Sequence, residues 1–100
     1  MTLDPEHCQS MVEVRAGVDA VDDGLVALLG LRFGYMRAAA RIKRDPAMIR
    51  DEARKQRVLA NVRALAKKAG VPEALVARLW EELIEASINY EQGQFDARQK

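Results

Sequence analysis

Cys8 is the only cysteine in the chain and His7 the only histidine. A single cysteine closes no internal disulfide and builds no cysteine-based metal site. Its place near the N-terminus, with no partner motif, reads as inert. A single histidine excludes a histidine-rich metal site and a triad chemistry built on histidine. No metal and no cofactor is expected. Aromatic residues are scarce at 5%, and no alternating apolar pattern of the kind strands need is present. No apolar run approaches the roughly 18 residues of a membrane span. The N-terminal MTLDPEHCQS is acidic and polar, the opposite of a secretory signal, so a soluble cytoplasmic protein is expected. Net charge is only +1, which excludes polyanion binding by bulk charge.

What remains is apolar and helix-forming. Hydrophobic residues make up 49% of 100 residues, with Ala, Leu and Val prominent, which favours helices packed in one small domain over residues 1–100. Three helices are expected, over about 10–43, 50–69 and 72–95. Pro46 ends the first, and Gly70-Val71-Pro72 reads as a tight turn between the second and third. The Gly93-containing tail is expected to fray.

The long first helix organises the rest. Val14, Val18, Val21, Leu25 and Leu28 recur at spacings of 3 and 4, which keeps them on one side. The next position in that series is Arg32, after which Tyr35, Ala39 and Ile42 resume it. A cation inside an apolar stripe must meet an anion, because an unpaired buried charge costs several kcal/mol or more. Lys43 follows about 20° round the helix and roughly 16 Å along it. A helix of this length, close to 50 Å, exceeds what two shorter helices can cover. The uncovered stripe predicts a homodimer in which two long helices pack together.

Polar residues also fall on the stripes of the other helices. In the second, the series Val58, Leu59, Val62, Leu65 and Ala66 extends backwards onto Asp51, Arg54 and Lys55. In the third, Leu75, Val76, Leu79, Trp80, Leu83 and Ile84 lead to Ser87, Ile88 and Glu91. Cations therefore converge with few anions, a setting for a small dicarboxylate, whose two oxygens match the arginine fork. Arg15 lies about 25 Å before Arg32 along a straight helix. If it serves the same ligand, it comes from a partner subunit.

Each residue also has a plainer reading. Arg32 pairs with Glu81, Glu82 or Glu85. Lys43 neutralises a helix C-terminus. Arg15 and Arg54 are solvated, Ser87 bonds back to its own helix, and Glu91 belongs to an acidic face. Residues 32–57 hold nine Lys or Arg against three acids, an excess of +6, and residues 73–96 hold six acids against Arg78, an excess of −5. Helix faces that neutralise one another account for both. A nucleic-acid module built on AGVPEALVARLW as a helix-turn-helix is disfavoured, because both flanking helices are too long for that motif.

The pattern of VR near the start, LVALLGLR, AAARIK, RDEAR and LWEELIEASI followed by YE resembles the small all-helical chorismate mutases and the related isochorismate pyruvate lyases. The resemblance spans about Val12 to Gln92. It implies a three-helix, all-α protomer in an intertwined dimer, and an isomerase that converts chorismate to prephenate in aromatic amino acid biosynthesis, without a cofactor. By the same resemblance, Arg32 binds a substrate carboxylate and Arg15 is supplied by the other subunit. Lys43 contacts the ether oxygen. Asp51, Arg54 and Ser87 help hold the substrate, and Glu91 stands where the family often has glutamine. The alternative in the same pocket is elimination of pyruvate from isochorismate to give salicylate. PEHC and GYMRAAARIK look lyase-like, whereas Ser87 looks mutase-like.

Two positions depart from the mutase pattern. Glu91 donates to an ether oxygen only when protonated, so activity is expected to fall as rising pH removes that proton. Lys55 replaces a glutamate that accepts from the ring hydroxyl. A lysine cannot accept, so it either turns to solvent or the site takes a different hydroxyl position.

Overall fold

The computed structural model describes residues 2–99. It is all-helical, with α1 over Met11–Ile42, α2 over Glu52–Ala69 and α3 over Glu73–Arg98. Short 3-10 turns at Pro5–His7 and Pro46–Met48 precede α1 and α2. The chain divides into two compact units, Met1–Tyr35 and Met36–Lys100. No described helix is long and apolar enough to cross a membrane.

In the first unit, α1 starts on a reciprocal cap. The Glu13 N–H donates to Ser10 Oγ at 3.2 Å, and Glu13 Oε1 accepts from the Gln9 N–H at 2.8 Å. Two amides that have no partner within the helix are thereby satisfied. The N-terminal segment runs back along α1, with the Leu3 carbonyl 4.0 Å from where a Cβ on Gly17 would stand. The stripe read from the sequence is otherwise open. Val18, Val21, Leu25 and Leu28 are 52–62% exposed, although their spacing is that of a buried face.

In the second unit, Ala40 on α1, Ile49 on the connecting segment and Phe95 on α3 form the core, with Ile88 packed against it. Ile49 is 5% exposed, so this one side chain anchors the connection between α1 and α2. Asp45 Oδ1 accepts from the Ala47 N–H, which tightens the turn around Pro46. Asp51 Oδ1 accepts from the Arg54 N–H at 2.9 Å and caps α2. Such a cap stabilises a helix by about 1 kcal/mol.

α2 ends at Gly70, whose φ of 73° is left-handed. The Val71 N–H reaches the Ala66 carbonyl at 2.9 Å, closing the turn that brings α3 back along α2. α2 contributes Val62 and Ala66 to the interior, while Leu65 is 53% exposed. α3 does not fray after Gly93. It continues to Arg98 because Phe95, 5% exposed, packs into the core on the far side of the glycine. Its inward face is Ala77, Ile84, Ser87, Glu91 and Phe95. Leu75 and Leu79, assigned to the interior by periodicity, are 39% and 52% exposed. The face turned to α2 and α1 is rotated toward the later residues.

Candidate active site

Lys43 is the first residue beyond α1. Its N–H still donates to the Ala39 carbonyl at 2.9 Å, which fixes the start of its side chain against the last turn. From there the stem crosses to α3, where Nζ stands 2.7 Å from Glu91 Oε2. The Lys43 side chain is 25% exposed and that of Glu91 only 5%. Among the described residues no donor is aligned on Oε2 with hydrogen-bond geometry, so the ion contact with Lys43 is what meets this oxygen. Glu91 is buried because it follows Ala77, Ile84 and Ser87 on the inward face, and Phe95 one turn later seals it. Apolar surroundings strengthen the attraction, since water is kept from the Glu91 carboxylate.

Ser87 lies one turn before Glu91 on the same face and is 4% exposed. Its hydroxyl donates to the Leu83 carbonyl at 2.6 Å, the back-bonded arrangement typical of a serine within a helix. Beside them, Tyr90 Oη accepts from Arg37 Nη1 at 2.8 Å and ties α3 to the last turns of α1.

A second charged cluster joins the connection, α2 and α3. Lys55 Nζ contacts Glu81 Oε1 at 2.6 Å and Glu85 Oε2 at 2.9 Å. Arg50 grips Glu85 through both of its terminal nitrogens, at 2.6 and 3.0 Å, and also reaches Glu52 at 2.8 Å. The Arg50 fork, with Lys55 second, draws the Glu85 carboxyl down to about 2. The bonds to Glu81 and then Glu85 raise Lys55, and those to Glu85 and then Glu52 raise Arg50. Glu85, Lys55 and Arg50 are therefore ionised across the neutral range.

These positions correct several expectations. Lys55 does not turn to solvent. Its side chain is 11% exposed and held by two carboxylates. Asp51 and Arg54 do not continue the inward stripe of α2, and both are exposed. Asp51 precedes the first helical residue, so the helical period does not reach it, and its carboxylate is used as the cap. Arg32 is half-buried and Arg15 exposed, both on the part of α1 within the first unit. The expected neutralisation of a basic by an acidic segment is present in the Lys55, Arg50, Glu81 and Glu85 cluster. Arg50 and Arg37 were not singled out by periodicity. The excess of acid on α3, with Glu81 and Glu85 one turn apart, is the signal that pointed to such partners.

Chemically, Lys43 is a cation held at one point by a buried acid. A substrate oxygen that gains negative charge there meets a charge already fixed in place. Among the described residues, no three His, Cys, Asp or Glu side chains gather as metal ligands.

The chorismate mutase type II family matches residues 14–92, a span that takes in both Lys43 and Glu91. The isochorismate pyruvate lyase of Pseudomonas aeruginosa is 30% identical over 80 residues, which covers 80% of this chain and 79% of the lyase. All-helical and matched over most of its length, the chain belongs to the type II chorismate mutase family.

Proposed function

We propose that the protein is a chorismate mutase, rearranging chorismate to prephenate. The observation that carries this reading is the pairing of Lys43 with the buried Glu91, 2.7 Å apart, within a family of this chemistry. In the rearrangement, the ether C–O bond breaks as a C–C bond forms, and negative charge grows on the ether oxygen. Lys43 Nζ offsets that charge. A preorganised donor of this kind is worth about 10²–10³ in turnover. Arg32 binds one carboxylate of the substrate and the partner subunit's Arg15 the other, so that the reacting chain is held in its diaxial form. Glu91 either donates to the ether oxygen when protonated or, as a carboxylate, aims Lys43. Ser87 turns its hydroxyl away from Leu83 to meet the substrate. Arg54, whose backbone Asp51 caps, contributes a further cation from α2.

Dimerisation belongs to the same proposal. Val18, Val21, Leu25 and Leu28 are more than half exposed in a single chain. Burying four such side chains stabilises an assembly by about 1.5–3 kcal/mol each before the costs of association. A second copy of α1 supplies a matching apolar surface.

The likeness to an isochorismate pyruvate lyase supports a second reading, release of pyruvate from isochorismate to leave salicylate. It uses the same lysine at the same ether oxygen. The holding of Lys55 by Glu81 and Glu85 also suits a substrate with a different hydroxyl position. Purified protein is given each substrate separately. Loss of chorismate absorbance without salicylate fluorescence supports the mutase, and salicylate fluorescence from isochorismate supports the lyase. If neither substrate is consumed, both readings fall.

A further inference from the structure

The C-terminal ends of α1 and α3 border an open recess of about 480 Å³. Arg41, Lys43, Arg44 and Arg98 line it together with Gln99, and among the described residues no Asp or Glu does. Arg41, Arg44 and Arg98 have no ion pair or side-chain hydrogen bond among the described residues, whereas Arg50, Lys55, Arg63 and Lys67 all have acidic partners. Lys43 has Glu91 as its counter-charge, and the carbonyls at the end of α1 present roughly half a negative charge, which accounts for part of one further cation and not for the three arginines. Like charges gathered round one hollow repel, so the arrangement is at its most favourable with an anion between them.

We infer that this cavity binds a small anion carrying at least two negative groups, phosphate or carboxylate, and that its occupancy slows turnover by restraining Lys43. The volume suits a compact ligand. Guanidinium forks from two helix ends match the paired oxygens of phosphate or carboxylate. Lys43 couples the cavity to the chemistry, because the same side chain lines the cavity and pairs with Glu91. An anion seated there attracts Nζ in competition with Glu91 and with a substrate ether oxygen. The effect on turnover rests on the mutase or lyase reading, but binding to the cavity does not.

Calorimetry with inorganic pyrophosphate and, separately, citrate tests the site, with potassium chloride holding ionic strength constant. Saturable binding of either ligand is expected, and the stronger one identifies the preferred chemistry. Arg44 and Arg98 are exposed and without side-chain partners, so R44A/R98A keeps the fold, which a thermal melt checks. The double variant is expected to bind at least about tenfold more weakly, since each lost charge-assisted bond weakens a complex by that order. R32A is expected to bind as the parent does. Without the anion, R44A/R98A turns over substrate as the parent does, and with it the inhibition seen in the parent is lost. The inference is overturned if neither anion binds saturably. It is equally overturned if binding survives R44A/R98A, or disappears in R32A and so belongs to the substrate pocket. If substrate is never consumed, the functional reading fails while calorimetry still decides the cavity.

Discussion

Lys43 Nζ lies 2.7 Å from Glu91 Oε2, with the acid almost fully buried and the lysine partly open. That asymmetry gives the two members different roles. The open cation can meet a ligand, and the enclosed acid can act only through the cation or through its own proton. A carboxylate cannot donate to an ether oxygen, whereas a carboxylic acid can. If protonated Glu91 is the donor, turnover falls as pH rises and Glu91→Gln flattens the profile, since an amide donates at every pH. A profile of kcat/KM against pH for parent and variant decides this. An unchanged profile in the variant assigns Glu91 to aiming Lys43 instead.

Removal of the cation has two separable consequences. Lys43→Ala leaves the Glu91 carboxylate buried without its counter-charge, which costs about 2 kcal/mol of stability. It also removes the charge proposed for the ether oxygen, for a loss of about 10²–10³ in kcat. Urea unfolding and steady-state kinetics read the two effects independently. Lys43→Met in the Glu91→Gln background removes both charges and is expected to recover stability without recovering turnover.

Acid lability is predicted from the Arg50–Glu85–Lys55 cluster. The folded chain holds the Glu85 carboxyl near 2, below its ordinary value of 4.5. Folding therefore gains from the ionised form, fully above pH 4.5, and that gain is lost as pH falls toward 2. Glu85→Gln is expected to be less stable than the parent at neutral pH and to match it near pH 2. Urea midpoints across this range give the difference directly. A constant gap between the two proteins would mean that the side chain contributes by packing rather than by charge.

Local signals made much of this fold legible in the sequence. Gly70 and Pro72 mark the turn because a left-handed residue and a fixed φ are local requirements. Asp51 reads both as the residue that opens α2 and as a backward extension of its inward stripe, and the fold uses it as the cap. Glu91 was visible by spacing from Ile84 and Ser87, and the resemblance tied it to Lys43. The bidentate Arg50–Glu85 contact spans 35 residues and the Arg37–Tyr90 bond 53. Such pairs depend on the register of one helix against another, which no single helix encodes. The stripe of α1 was legible as apolar, but its spacing is silent on what covers it.

Subunit exchange tests the assembly and the pocket together. In the proposed dimer each site takes Arg32 from one subunit and Arg15 from the other. Arg15→Ala and Arg32→Ala homodimers each carry one lesion in both of their sites and are expected to be nearly inactive. Mixing them by partial unfolding and refolding yields heterodimers in half of the population. In each heterodimer one site has both lesions and the other has none. Activity is therefore expected to return to about a quarter of the parent value, as the symmetry of a two-fold dimer requires. If Arg15 and Arg32 of the same subunit shared a site, every heterodimer site would be either wholly Arg15-deficient or wholly Arg32-deficient, and mixing would restore nothing. Leu25→Asp, on the exposed stripe, is expected to keep the chain helical by circular dichroism while shifting it toward monomer in light scattering. That monomer should not respond to mixing at all.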